Sequence, residues 1–248
     1  MVGTGVSHNG FFRGKNLGTI SSISDYRAFR TAHGIDDHTY KDLYLGDYVT
    51  ISGSSYTGTD CEWMVAHFDY GYNGGSSAVS PRGVMWIPRT TAGSGKMNSS
   101  DTTSSGYTGS AMHTSVLPTI KTNLEKVLKD SSNNYLVTRN LLLSTAGAAA
   151  GATNWAWTNT QIVLPNEVQI YGCNVWGNGS YNTGEACEKL AVFNFINHVE
   201  YSRSHFWLRS VVSASNFANA NNNGNANNNG ASNSNGLRPI AVKLQCLY

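Results

Sequence analysis

The chain has 248 residues, 40% of them apolar and 13% charged, with a formal net charge of +2. That length and apolar share suffice to bury the core of one large domain or two small ones. The sparse charge, with no run of Lys or Arg, excludes the electrostatic footprint of a nucleic-acid binder and offers nothing to acidic substrates or a membrane surface.

The N-terminal stretch MVGTGVSHNGFFRGKNLG lacks the basic-then-apolar layout of a signal peptide, and no segment approaches the ~20 apolar residues that span a bilayer. The expectation is a product made in a cytoplasm, without membrane insertion. Cys61, Cys173, Cys187 and Cys246 lie far apart, with no CxxC pair and no clustered histidine, so zinc-site spacing is missing. They read as small buried hydrophobes, although Cys173 and Cys187 could close a loop in oxidising surroundings.

In chain order, SSISDYRAFRTAHGI offers Ser24 as an N-cap, Tyr26 and Phe29 on one face and Gly34 as a stop, which predicts a short helix. TYKDLYLGDYVTISG alternates about Leu43, Leu45 and the Tyr48/Val49 pair. WMVAHFDYGY and GVMWIPRT follow as apolar runs bounded by glycine, and all three predict strands. TSVLPTIKTNLEKVLKD places Pro118 near a first turn, Leu117, Ile120, Leu124, Val127 and Leu128 at helical spacing, and Lys129 at the far end. This second helix should lay one face on a sheet. LVTRNLLL, QIVLP, EVQIYGCNVWG, LAVFNFIN, SHFWLRSVVSA and LRPIAVKLQCLY are further short apolar segments, read as strands. Together they predict one α+β domain over 1–248, with long irregular loops, chain ends that meet in the core and no linker-like boundary.

Between Asn216 and Asn235, eleven of twenty residues are asparagine, a composition that by itself describes a flexible polar loop. The spacing argues otherwise. Asparagine holds positions 219, 221, 223, 225, 227 and 229, then 233 and 235, with Ala220, Gly224, Ala226, Gly230, Ser232 and Ser234 between them. A period of two places these asparagines on one solvent-facing side of an extended chain and the small residues against the body. Asn222 and Asn228 break the alternation just before Asn223-Gly224 and Asn229-Gly230. The first pair predicts a hairpin tip and the second a looser loop. Asparagine is a poor strand former, so the pattern points to how the gene is written rather than to a demand of folding.

Groups for chemistry are scarce. The NANNNGN run lacks the carboxylates of a calcium loop, with Gly230 where the bidentate Glu belongs. AGSGKMN fails as a phosphate loop, because Thr90 stands where its first glycine would be and Met97 where magnesium needs Ser or Thr. His67 and Asp69 could orient one another for acid–base work, and His205 lies beside Trp207 and Arg209. No GxSxG elbow accompanies them, so no catalytic residue, metal or cofactor is expected. Tyr and Trp are plentiful, as in NWAW and FWLR; exposed, they would suit protein or glycan recognition, but most read as core.

FWLRSVVSASNFA, the asparagine tract and GLRP together resemble the C-terminal variable repeat, here about 205–248, of proteins targeted by diversity-generating retroelements. Upstream, GKNLGT, DLYLGDYVT, VAHFDYGYN, MNSSDTTSSGYTGSAM, LVTRNLLL and NEVQIYGCNVWGN resemble segments of structural proteins of tailed phages and related viruses. The resemblance implies a C-type-lectin-like fold, with small antiparallel sheets, two main helices and long irregular loops. In such systems adenine-directed reverse transcription rewrites AA-starting codons, so an asparagine-dominated repeat resembles a copy still close to its template.

On that resemblance the diversified, ligand-binding positions are Asn216, Asn219, Asn221, Asn222, Asn223, Asn225, Asn227, Asn228, Asn229, Asn233 and Asn235. Trp207, Arg209, Phe217, Gly224, Gly236, Arg238 and Pro239 would form the scaffold, Arg238 anchoring loop carbonyls or a carboxylate with its fork of donors. The implied protein is a non-enzymatic, hypervariable display component of a virion tail or surface, recognising a host-cell protein or glycan beside other virion proteins. A homo-oligomer is expected, since multivalency compensates weak single sites. A host-encoded surface adhesin of the same fold and a virion decoration protein without a ligand stay open. A formylglycine-generating-like enzyme is a weaker analogy, because Cys246 stands alone where that family needs a cysteine pair.

Overall fold

A computed structural model describes residues 11–70, 83–177 and 188–241. Its strands are β1 (Asn16–Ile20), β2 (Tyr48–Ile51), β3 (Cys61–Phe68), β4 (Val84–Pro88), β5 (Ser94–Lys96), β6 (Arg139–Ala148), β7 (Gly151–Thr160), β8 (Ile162–Val163), β9 (Phe206–Val211), β10 (Asn216–Ala220), β11 (Ala226–Gly230), β12 (Ser234–Gly236) and β13 (Ile240–Ala241). Three α-helices join them: α1 (Ile23–Ala32), α2 (Leu117–Leu128) and the one-turn α3 (Glu167–Tyr171). The architecture is mixed α and β, mostly sheet.

Among the described residues the strands form three sheets. One has six strands in the order β1-β2-β3-β4-β13-β8, a second has five in the order β11-β10-β9-β12-β5, and β6 pairs with β7 as a two-stranded ribbon. The first described strand, β1, and the last, β13, belong to the same sheet with β2, β3 and β4 between them, and the chain ends themselves lie outside the described residues. β4 is buried at all five positions, which suits VMWIP, an uninterrupted apolar run lying inside a sheet.

Both expected helices form. In α1, Tyr26 and Phe29 are buried and Gly34, at φ 57°, lies just past the end. The cap, however, is Ser22 and not Ser24. The Ser22 hydroxyl accepts from Asp25 N at 3.1 Å, and the Asp25 carboxylate reaches back to Ser21 N at 3.0 Å. That reciprocal pair satisfies amides at the helix start, which a cap two residues later would leave open. In α2, Pro118 sits in the first turn, and Leu117, Ile120, Leu124, Val127 and Leu128 are buried. A π-helical turn, Met112–Val116, leads into it.

Three strand expectations need correction. The 39–53 segment is strand only over Tyr48–Ile51, with a single bridge from Leu45 to Phe12 before it, because Tyr40 and Asp42 take positive φ (46° and 47°) that no strand accommodates. EVQIY is α3, since Asn166 and Gln169 cap one another at 2.9 and 3.0 Å and Gly172 closes the turn at φ 87°. AVFN in LAVFNFIN forms a 3₁₀ turn, Ala191–Asn194. Of the terminal LRPIAVKLQCLY, Ile240–Ala241 pairs as β13, and Val242 onward lies outside the described residues, Cys246 included.

Candidate ligand-display site

The asparagine tract is ordered strand. β10 and β11 pair antiparallel from Asn216↔Gly230 to Ala220↔Ala226. The five residues between them, Asn221 to Asn225, turn the chain, with Asn221 N donating to Asn225 O at 3.0 Å. Gly224 N donates to Asn221 O at 3.0 Å, Gly224 takes φ 87°, and the Asn221 side chain accepts from the backbone N–H of Asn223 and of Asn225, both at 2.9 Å. The Asn223-Gly224 pair therefore marks the tip, but through a type I turn closed by a left-handed glycine, with only Gly224 at positive φ. Asn229 and Gly230 end β11, and the looser loop follows them, with Asn233 N donating to Gly230 O at 2.9 Å.

The alternation of exposed asparagine and covered small residue does not survive intact. Asn222, Asn223, Asn225 and Asn233 are exposed, and Asn216, Asn221, Asn227, Asn228 and Asn229 are half-buried. Asn219 is completely buried and Asn235 nearly so. Among the small residues, Ala218 and Ala220 are buried, Gly224, Ala226, Gly230 and Ser232 are half-buried, and Ser234 is exposed. Sheet position is the reason. β10 lies between β11 and β9 and four of its five residues are buried, so in this strand a period of two sorts residues between two covered faces. β11 is the edge strand, and there every residue keeps partial exposure. The surface available to a ligand is thus β11, the 221–225 tip and the 231–234 turn.

Asn219 lies opposite Trp207 on one side and Asn227 on the other, and neither its Oδ1 nor its Nδ2 has a hydrogen-bond partner among the described residues. An unsatisfied buried polar group costs roughly 1–3 kcal/mol, whereas a β-branched apolar residue suits a strand interior. Asn219→Val is expected to raise the unfolding free energy by about 1–2 kcal/mol after a small packing penalty. A lower urea midpoint in the variant would show that the amide is satisfied after all.

The scaffold side chains converge behind this surface. Trp207 is fully buried and donates its indole N–H to Gly95 O at 2.9 Å, tying β9 to β5. Phe217, opposite Val211 in the neighbouring strand β10, is also fully buried. Arg209 donates Nη1 to Leu164 O at 2.8 Å and to Gln169 Oε1 at 2.9 Å, fastening α3 to β9. Gly236 is required by close approach, since a Cβ there would lie 2.6 Å from Thr91 Cγ2 and 2.9 Å from His205 O. Pro239 is buried. Arg238 is buried and finds no carboxylate among the described residues. It donates Nε to Pro88 O at 2.9 Å, Nη1 to His198 O and Nη2 to Arg89 O at 3.3 Å, and burial pushes its pKa down to about 10.

The MNSSDTT segment braces the tract, a role that no pattern in it announces. Asn98 N donates to Ala231 O at 2.9 Å, Asp101 Oδ1 accepts from Ser232 N at 2.7 Å, and Thr103 Oγ1 donates to Ser213 O at 2.6 Å. Backbone and side-chain hydrogen bonds from Ser232 hold the Asp101 carboxyl below its usual range. Contacts of this kind join residues more than a hundred apart in sequence.

The 197–198 corner supports the tip. A Cβ on Gly224 would sit 2.9 Å from Asn197 Oδ1. The His198 ring meets Tyr171, Phe193 and Phe206 edge-on, and burial with Arg238 nearby pushes its pKa from 6.5 to about 4, against a hydrogen bond to the Gly224 backbone. The folded protein resists a proton that the unfolded chain accepts below pH 6.5, so this stabilisation is whole above that pH and is lost as pH falls through about 4. Urea titrations should show at most on the order of 3 kcal/mol lost between pH 7 and pH 4 from this group, and His198→Gln should flatten that slope. Equal slopes in both proteins would remove His198 from the acid response.

The acid–base candidates do not assemble. His67 Nδ1 lies 2.7 Å from Phe68 O and its Nε2 3.3 Å from Glu188 Oε1, while Asp69 accepts from Tyr40 and from Gly83 N. His205 Nδ1 is buried without a hydrogen-bond partner among the described residues. Among the described residues no group of three or more His, Cys, Asp or Glu gathers for a metal, and no helix is long and apolar enough to cross a membrane. Cys61 is buried, its thiol pushed up to about 12 by desolvation, and Cys173 is exposed and free; Cys187 lies outside the described residues. Trp63, Trp86 and Trp207 are core and Trp155 is partly buried against it, but Trp157 of NWAW and Trp176 are 45% and 48% exposed. No family model matches the chain, and neither a curated protein nor a solved structure matches it.

Proposed function

We propose that this protein is a non-enzymatic display protein, in which a C-type-lectin-like scaffold presents a retroelement-diversified face to ligands on a host-cell surface. The observation that carries the reading is the ordered tract. An asparagine-rich segment of a composition typical of flexible loops is paired into β10 and β11 and held from behind by Trp207, Phe217 and Arg238. Nine of its eleven asparagines keep some exposure while Asn219 and Asn235 are buried. A rigid backbone with replaceable outward side chains tolerates variation at little cost in stability. The two longer helices and the long loops suit the proposed fold, whereas the expected small antiparallel sheets do not hold throughout: β1–β2 and β9–β12 pair parallel, so the six- and five-stranded sheets are mixed.

The amide surface itself is small and hydrogen-bonding, without the aromatic and Arg anchors that dominate tight interfaces. This copy is therefore a weak binder whose neighbours in a diversified population bind more strongly. A virion tail or surface appendage, assembled as a homo-oligomer with other virion proteins, is the setting in which weak sites add by multivalency. Sequencing the gene across a population tests the reading. Differences should concentrate at AA-starting codons of the eleven asparagines, with a near-identical template repeat and a reverse-transcriptase gene nearby. Uniformly scattered differences and no template would overturn it.

A further inference from the structure

β7 is an edge of the β6–β7 ribbon, and among the described residues no strand lies on its other side. The opposite edge, on β6, is covered, because Thr108 N donates to Ser144 O at 3.0 Å. That bond also fixes the phase of the ladder. Ser144 turns its carbonyl away from β7, so Ser144 and Trp155, which lie opposite one another, are a non-hydrogen-bonded pair. The N–H and C=O of Trp155 therefore point to the outer edge, as do those of Trp157 two residues on, while Ala156 between them points to β6. Proteins ordinarily blunt such an edge with Lys, Pro or an inward-facing charge. Here no charged residue occurs from 140 to 166, and β7 has no proline. Asn154, Ala156 and Trp157 are exposed, and Thr158 and Trp155 are half-buried, the Trp155 ring resting on the core.

The order of residues along this edge selects its occupant. NWAWT, Asn154 to Thr158, reads the same in both directions except that Asn and Thr exchange at its ends. The register irregularities of the ribbon fall before Trp155, which leaves Trp155 to Thr158 in regular pairing. Laid antiparallel against a second copy, about a two-fold axis at Ala156, the segment sets Trp155 opposite the partner subunit's Trp157 and Asn154 opposite the partner subunit's Thr158. Each residue i that meets j is then matched by a j that meets i, as a two-fold contact requires. The opposed tryptophans are the residues whose backbone groups point outward, so each such pair exchanges both ladder hydrogen bonds and stacks indole on indole. No like charges are brought together, because the segment has none. We propose that the β7 edge is a self-association site, at which two copies join their ribbons into one four-stranded antiparallel sheet about Ala156. This goes beyond the display reading, which names no contact for its homo-oligomer, and it uses no residue of the asparagine tract.

The test is sedimentation equilibrium of the full chain. Between about 1 and 500 µM it should show a monomer–dimer equilibrium with a Kd in the micromolar range, as suits a contact smaller than the ~1,200 Å² of standard interfaces. Trp157→Ala should weaken the dimer about tenfold or more. A charge pair tests the register. Asn154→Lys with Thr158→Lys opposes like charges on both sides of the axis and should also weaken the dimer about tenfold or more, whereas Asn154→Lys with Thr158→Glu opposes unlike charges and should stay within about threefold of the parent. Within one chain the two positions lie four residues apart in a strand, roughly 13 Å, too far to pair with each other. A parent that stays monomeric throughout, or two charge variants that associate equally, would overturn the proposal. The display reading is tested on the gene, so failure of one is distinguishable from failure of the other.

Discussion

Arg238→Ala is expected to lower the unfolding free energy by about 4 kcal/mol, a large part of the ~5–15 kcal/mol that holds a domain folded. The side chain joins three carbonyls that no other described element brings together: Pro88 and Arg89 at the end of β4, and His198 beneath the hairpin tip. Its guanidinium also lies 5.1 Å from the Phe206 ring centroid and 5.7 Å from that of Phe193. Truncation leaves the carbonyls without this donor and opens a void between aromatic rings. Relief from burying a cation offsets part of the loss, but three abandoned acceptors and a cavity outweigh it. Arg238→Lys separates the contributions, because it keeps charge but not the planar fork, and should cost about half as much. Chemical denaturation measures both, and amide exchange at Gly224 should quicken in step. A variant as stable as the parent would show that the three contacts are incidental.

Trp207→Ala should be comparably damaging, at about 3–5 kcal/mol. The indole is fully buried in β9, opposite Asn219, and its N–H to Gly95 O links β9 to β5 across the sheet. Trp207→Phe retains most of the packing and loses the hydrogen bond, so it should cost about 1–3 kcal/mol. The ratio of the two losses, read from urea midpoints, apportions packing and hydrogen bonding. Equal losses would mean that the Gly95 contact carries the whole effect. Both substitutions act on a buried side chain, so they should lower stability without touching an exposed asparagine.

Local chemistry explains which elements were legible. The apolar spacing of α2 and its Pro118 are self-sufficient signals, and the Asn223-Gly224 tip needs only one residue that tolerates positive φ. The misreadings were also chemical. Ser22 and Ser24 are equally good caps on paper, and Asp25 decides between them by reaching back to Ser21. EVQIY is apolar enough for a strand until the Asn166–Gln169 box is recognised. GATNWAWTNT was read only for its aromatics, yet it forms β7, paired with β6 and still exposing Trp157. Asp101 could not be found at all from sequence, since its partner Ser232 is brought to it by the fold.

The candidate site divides in the same way. The sequence by itself determined that the tract is ordered, because alternation and a turn glycine are local properties that an extended chain expresses wherever it lies. The residues expected to hold the tract, Trp207, Arg209, Phe217, Gly236 and Arg238, came from the resemblance of the C-terminal segment and not from a local pattern. Only the tertiary structure decided which asparagines face outward. That depends on which strand is inner and which is the edge, and strand order is set by contacts between segments far apart in the chain. β10 acquired a neighbour on each side and β11 did not, so Asn219 was drawn inside while the same residue type in the next strand stayed within reach of solvent.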